Sequence, residues 1–114
     1  MADNVDGPVV IYCTFPDRDI ALSIAGELID SKLAACVNVL GSITSIYNWE
    51  GVRQQETEVA ALVKTRAGLA HAVTQRVADR HPYDVPAVLV MAVDDGLPAF
   101  LDWIMRETQA IRVR

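Results

Sequence analysis

Cysteine occurs only twice in 114 residues, at positions 13 and 36, too few for the disulfide-dense framework of small secreted domains. Basic residues are in deficit, ten Lys and Arg against fifteen Asp and Glu for a net charge of -5. That removes the electrostatic basis for gripping a phosphate backbone, and no nucleic-acid partner is expected. The longest apolar run, Val85 to Val93, is nine residues and contains Pro86, so no helical membrane span is expected. The opening residues carry Asp3 and Asp6, no basic residue and no apolar leader, which together with the few cysteines predicts a reducing, cytoplasmic setting. Also missing are a GxSxG elbow, a GxGxxG or Walker loop, and the CxxC, HxH and HExxH spacings. Their absence withdraws the usual signatures of serine nucleophiles, nucleotide phosphates and preformed zinc sites. What remains is 52% hydrophobic and 22% charged with a mean hydropathy of +0.23, the profile of one globular domain with a real core.

The apolar pattern divides that domain into elements. Residues 1–7 read as a disordered start, 8–106 as the folded domain and 107–114 as a tail. Pro8 to Thr14 is a short β-branched run that suits a buried strand. From Pro16 to Lys32, Ile20, Ile24 and Leu28 recur every fourth residue, which predicts an amphipathic helix. Leu33 to Leu40 is apolar again, and Ile43, Ser45, Tyr47 and Trp49 continue in alternation beyond Gly41. One long strand bent near Gly41 is expected, turning at Glu50-Gly51 into a return strand from Val52 to Arg66. A second helix runs from Ala67 to His81 and stops at Pro82. Val85 to Val93 reads as a strand buried on both faces or at a subunit contact. Pro98 opens a short last helix bearing Phe100, Trp103 and Ile104. The order βαββαβ is the split arrangement of a ferredoxin-like α+β sandwich: an antiparallel sheet with both long helices on one face and a long β2-β3 hairpin. The apolar outer end of that hairpin lies far from the helices, which predicts a homo-oligomer.

Two sets of side chains carry candidate chemistry. Cys13, Cys36 and His81 are the soft set, since thiolate suits Cu(I) and imidazole accepts copper or zinc. Against that reading, cysteine is as often a small buried hydrophobe, and His81 is favoured by the dipole at the end of a helix. His81 also opens HPYDVP, where two prolines stiffen a loop carrying an imidazole, a phenol and a carboxylate. The second set is Trp49, Glu58, Lys64, Tyr83 and Trp103, a pocket-like mixture of aromatic walls and a few polar groups. Glu58 and Lys64 share a face of their strand, opposite Val59, Ala61 and Val63, so an exposed charged pair is the plainer alternative.

The runs YCTFPD from Tyr12, LAACVNV from Leu33, SIYNWEG from Ser45, ETEVAALVKT from Glu56 and HPYDVP from His81, closed by Trp103, together resemble the CutA family of divalent-cation tolerance proteins. The resemblance covers about residues 8 to 105. It implies a ferredoxin-like subunit in a tight homotrimer and a protein connected with copper tolerance that binds divalent metals without turnover. The metal-ligand positions of the best-known bacterial type map onto Cys13, Arg80 and His81. Arg80 departs from the His-His pair of that type, and guanidinium is no ordinary metal ligand. Ala87 stands where the family commonly has Glu. The reading from another class is a trimeric small-molecule sensor similar to the PII-type regulators, using the pocket set in an intersubunit cleft.

Overall fold

The computed structural model describes residues 6–109. They form an α+β ferredoxin-like domain in the order β1 (Pro8–Phe15), α1 (Arg18–Asp30), β2 (Cys36–Trp49), β3 (Val52–Arg66), α2 (Ala70–Arg80), β4 (Val88–Ala92) and α3 (Pro98–Arg106), with one 3-10 turn at Ala67–Leu69 leading into α2. The sheet runs β2-β3-β1-β4, and every neighbouring pair is antiparallel.

Alternation along the central strands sorts the two faces. Val9, Ile11, Cys13 and Phe15 of β1 and Val59, Ala61 and Val63 of β3 are buried against Ile24 and Leu28 of α1 and Val73 and Val77 of α2. A side chain on a strand reaches one face only, so the alternate positions, Tyr12 and Thr14 of β1 and Glu58 and Lys64 of β3, face the other way. Asp17 caps α1, its Oδ1 accepting the Ile20 N–H at 2.9 Å, and so satisfies one of the free donors of the first turn. Glu50 and Gly51 turn the hairpin with φ of 51° and 82°. Two successive left-handed residues match the twist of the flanking strands.

The bend expected near Gly41 is a register shift between Val39 and Ser42. Before it, Val37 and Val39 pair with Val63 and Ala61 of the helix-facing set; after it, Ile43, Ser45 and Tyr47 pair with Glu58, Glu56 and Gln54 of the opposite set. The bulge therefore changes which β2 residues look away from the helices.

Two boundaries differ from the sequence reading. Leu33 to Ala35 are not strand, because the Leu33 and Ala34 N–H groups still close the end of α1 on the Leu28 carbonyl at 3.0 and 3.2 Å. β4 is five residues, the N–H-less Pro86 and its neighbours staying outside the ladder. Far from being buried on both faces, Leu89, Val90 and Met91 are 61%, 48% and 45% exposed on an edge strand of this single chain. The face away from α1 and α2 is also not bare, since α3 packs on β1 and β3 with Phe100 beneath the Lys64 ammonium.

Of the expected disordered start, residues 1–5 lie outside the described residues, whereas Asp6 is held by Arg66 Nη1 at 3.0 Å and the Gly68 N–H at 2.9 Å. Of the expected tail, residues 110–114 lie outside them. Arg66 also donates to Thr108 Oγ1 at 2.9 Å and to the Met105 carbonyl, and Gln109 meets the end of α1 through the Lys32 and Ser31 carbonyls.

Ile11 is fully buried between the helices and β3. Ile11→Ala should lower unfolding free energy by about 2–5 kcal/mol in a denaturant titration, whereas exposed Leu22→Ala should stay within about 0.5 kcal/mol.

Candidate functional site

The soft set is not gathered. Cys13 pairs with Ala61 and faces the helices, while Cys36 pairs with Lys64 on the opposite face. With β3 between their strands and a three-residue offset along it, the two cysteines lie about 14 Å apart, beyond any shared ion or disulfide. Cys13 is fully buried, and burial pushes its thiol from 9.0 up to about 11. The thiolate that a soft metal needs is thus suppressed at neutral pH.

His81 is buried at the end of α2 and uses both ring nitrogens. The Tyr83 N–H donates to Nδ1 at 3.1 Å, so Nε2 carries the hydrogen and donates to the Thr14 carbonyl at 2.7 Å. Its ring stacks on Phe15 at 5.3 Å and leans on Tyr83 at 4.7 Å. A metal on His81 would have to break one of these bonds. Arg80, at the family's ligand position, instead grips Glu27 of α1 through Nε at 3.0 Å, and Arg76 joins at 3.5 Å. Among the described residues no three His, Cys, Asp or Glu side chains are grouped to hold an ion. Cys13, Cys36 and His81, the soft set expected from the sequence, are thus not brought together within the single chain: they serve the core, an edge strand and a loop anchor.

The pocket set divides in two. Trp49, Glu58 and Tyr83 line one open cleft of about 750 Å³ between the outer hairpin, β1 and the loop after α2. Lys64, six residues along β3 from Glu58, is about 20 Å away; it donates to Asn38 Oδ1 at 2.5 Å and lies 5.5 Å from the centre of the Phe100 ring. Trp103 stacks on Phe100 at 5.6 Å. Among the cleft's other lining residues are four aromatic or acidic side chains to which the sequence reading gave no place in the pocket: Tyr12, Tyr47, Glu56 and Asp84. Tyr12, Glu56 and Tyr47 were within reach of strand parity, once the shift beyond Gly41 is applied to β2. Asp84 was quoted within HPYDVP without a role.

The cleft's charge is of one sign. Glu56, Glu58 and Asp84 line it, and no Lys, Arg or His does. Glu58 is only 6% exposed, and none of the ion pairs of the described residues includes it. Tyr47 donates its hydroxyl to Glu56, and that hydrogen bond, ahead of burial and charge, pushes the phenol up to about 12. Tyr83 is raised first by burial and then by the Glu58 charge. Both phenols stay protonated at neutral pH; the Tyr47 hydroxyl is committed to Glu56, and both rings can present a face to a cation.

The thiol geometry is directly testable. In the folded protein at pH 8, iodoacetamide should label Cys36 and leave Cys13 essentially unlabelled, because Cys13 is fully buried and burial holds its thiol protonated. Mass spectrometry of the peptides reads both, and unfolding should bring the two rates together.

Comparison with known proteins agrees with this architecture. The family described as CutA1 divalent ion tolerance protein matches residues 9–107. The chain is 37% identical over 101 residues to the chloroplastic protein CutA of Arabidopsis thaliana, covering 89% of this chain and 56% of that one; it thus spans little more than half of that relative's length. It is 40% identical over 103 residues to the divalent-cation tolerance protein CutA of Yersinia pestis, covering 90% of this chain and 87% of that one. Among solved structures, the divalent cation tolerance protein of Thermus thermophilus superposes with a TM-score of 0.87 at 35% identity, covering 90% of this chain and 99% of that one. With the sheet order, the bent hairpin and the sequence match in agreement over nearly the whole domain, this chain belongs to the CutA1 family of divalent-cation tolerance proteins.

Proposed function

We propose that this protein works as a homotrimer that binds copper or other divalent cations in the response to metal ions, and that it does so without enzymatic turnover. The observation that carries the reading is Glu58: a carboxylate 6% exposed, facing a cleft, with no cationic partner in any ion pair of the described residues. A buried charge is costly unless an opposite charge compensates it, so the cleft favours a cation. Its carboxylates and phenols are hard oxygen donors that suit a divalent ion better than Cu(I). Since these groups fall short of a complete cage, water or a neighbouring copy supplies the remaining ligands.

The apolar edge of β4 supports the trimer. Leu89, Val90 and Met91 lie exposed beside unpaired backbone, an arrangement that invites pairing with another chain. Ile46, Trp49 and Val52 add exposed apolar area at the hairpin's outer end. A reducing cytoplasm belongs to the same reading, supported by two free cysteines.

Two measurements check these statements. Calorimetric titration with Cu²⁺ should give saturable binding that Glu58→Gln weakens about tenfold or more, as loss of a desolvated charge partner requires, and that Cys13→Ser leaves within about twofold. Binding that depends on Cys13 and not on Glu58 would sink the assignment. Light scattering on an eluting sample should give three times the 12.5 kDa chain mass, and Val90→Lys should shift the protein to a smaller species; a monomeric wild type overturns the trimer.

A further inference from the structure

We propose that Arg66 is a latch through which the two ends of the domain open and close as one event: freeing the chain before β1 frees the end of α3, and the reverse. Each nitrogen of its guanidinium holds a different stretch of chain. Nη1 donates to Asp6 Oδ2 at 3.0 Å, Nε to Thr108 Oγ1 at 2.9 Å and Nη2 to the Met105 carbonyl. Asp6 uses its other oxygen to accept the Gly68 N–H at 2.9 Å, and the neighbouring Ala67 N–H bonds the Gly7 carbonyl at 2.7 Å. Thr108 passes its own hydroxyl hydrogen to the Ile104 carbonyl at 3.0 Å. Beyond it, Gln109 reaches the end of α1, its N–H meeting the Lys32 carbonyl at 2.9 Å and its Nε2 the Ser31 carbonyl at 2.8 Å. Among the described residues no hydrogen bond runs from Asp6 to Met105, Thr108 or Gln109 directly. The two ends are joined through Arg66.

Burial turns this meeting point into coupling. The Arg66 side chain is 13% exposed, and among the ion pairs of the described residues Asp6 is its one partner. Removing Asp6 leaves an enclosed positive charge with no opposite charge beside it, a costly state. The guanidinium then gains by turning to water, and in turning it drops Thr108 and Met105. Removing the Thr108 hydroxyl acts in the other direction: the Nε hydrogen is left unbonded in the same enclosure, the turned-out side chain is favoured, and Asp6 loses its cation. Lysine cannot take over, because an ammonium is a point charge without the planar fork that serves three separate acceptors. Within the chain, Ile104 is the one buried side chain of α3, so the helix depends on the contacts at its end more than a core helix does. A pull on the chain ahead of β1 is therefore felt at α3, at the other end of the sequence.

Native-state hydrogen exchange of the full chain, resolved to single amides, tests the latch. Asp6→Ala should speed exchange at Glu107 and Gln109 by about tenfold or more, while the amides of the β1–β3 ladder keep the parent's rates. Thr108→Val keeps the side chain's shape and removes its oxygen. It should speed Ala67 and Gly68 at the opposite end, because coupling between two sites is reciprocal. In an Arg66→Met background, Asp6→Ala should add nothing further at Glu107 and Gln109, and Arg66→Lys should behave as Arg66→Met does. Light scattering should give every variant the parent's mass, so that exchange is compared in one assembly. Unchanged exchange at the far end in either Asp6→Ala or Thr108→Val, an equal rise throughout the domain, a changed mass, or additive effects of Asp6→Ala and Arg66→Met overturns the inference.

Discussion

A side chain on β3 can point to only one of two faces, and fifteen consecutive residues of that strand are committed to a single alternation. β3 lies between β1 and β2, so its register with Val9 to Phe15 on one side and with Cys36 to Trp49 on the other fixes both faces of the sheet. Val59, Ala61, Val63 and Thr65 are committed to the helix side, where all four are buried. Glu56, Glu58, Lys64 and Arg66 are thereby forced to the other side. A slip by one residue would put Glu58 and Lys64 in the buried places of Val59 and Thr65, at a cost of several kcal/mol each, so the register that builds the core also builds the cleft.

The bulge between Val39 and Ser42 is the second part of the same constraint. Without the extra residue, β2 would keep Val37, Val39 and the odd positions after them on the helix side, and Tyr47 would look away from Glu56. With it, the Tyr47 hydroxyl reaches Glu56, and the outer hairpin contributes its aromatic residues to the wall opposite the loop at Tyr83. That loop is fixed by His81, whose ring bonds the Thr14 carbonyl and the Tyr83 N–H at once. Thr14 and Tyr83 both line the cleft, so the imidazole sets the width of the site without facing its contents.

Most of the fold could be read from the sequence because it depends on local periodicity. Period four in Ile20, Ile24 and Leu28, period two through β3 and the glycine at the hairpin turn each report one element. The order βαββαβ then set their arrangement, and the family resemblance agreed with it. The site was half legible: Glu58, Trp49 and Tyr83 were named and meet, while Lys64 and Trp103 were named and do not, because sharing a strand face says nothing about distance along it. Cys13, Cys36 and His81 lie apart within the single chain for a different reason. Residue type announces what a side chain can bind, but whether it is free to bind depends on burial and on hydrogen bonds made across the fold, such as Thr14 to His81, 67 residues apart. Strand β4 could be read only as far as two alternatives, because an apolar run looks the same whether its partner is the chain's own core or another surface.

The two departures from the family's usual residues now acquire physical content. Arg80 does not leave a gap where a ligand would be; it ties α2 to Glu27 of α1, a partly exposed contact whose value lies in fixing the helix pair more than in energy. Ala87 lines the cleft with a methyl group where a carboxylate is common, which lowers the cleft's negative charge by one and removes a donor that could have shared an ion with Glu58. The attraction for cations then falls more heavily on Glu58, the enclosed carboxylate, because the same charge acts more strongly when water is excluded from around it. Exposed Asp84 and Glu56 are screened by solvent. The cleft's pull on a cation is therefore strongest at the enclosed carboxylate and weaker toward its exposed rim.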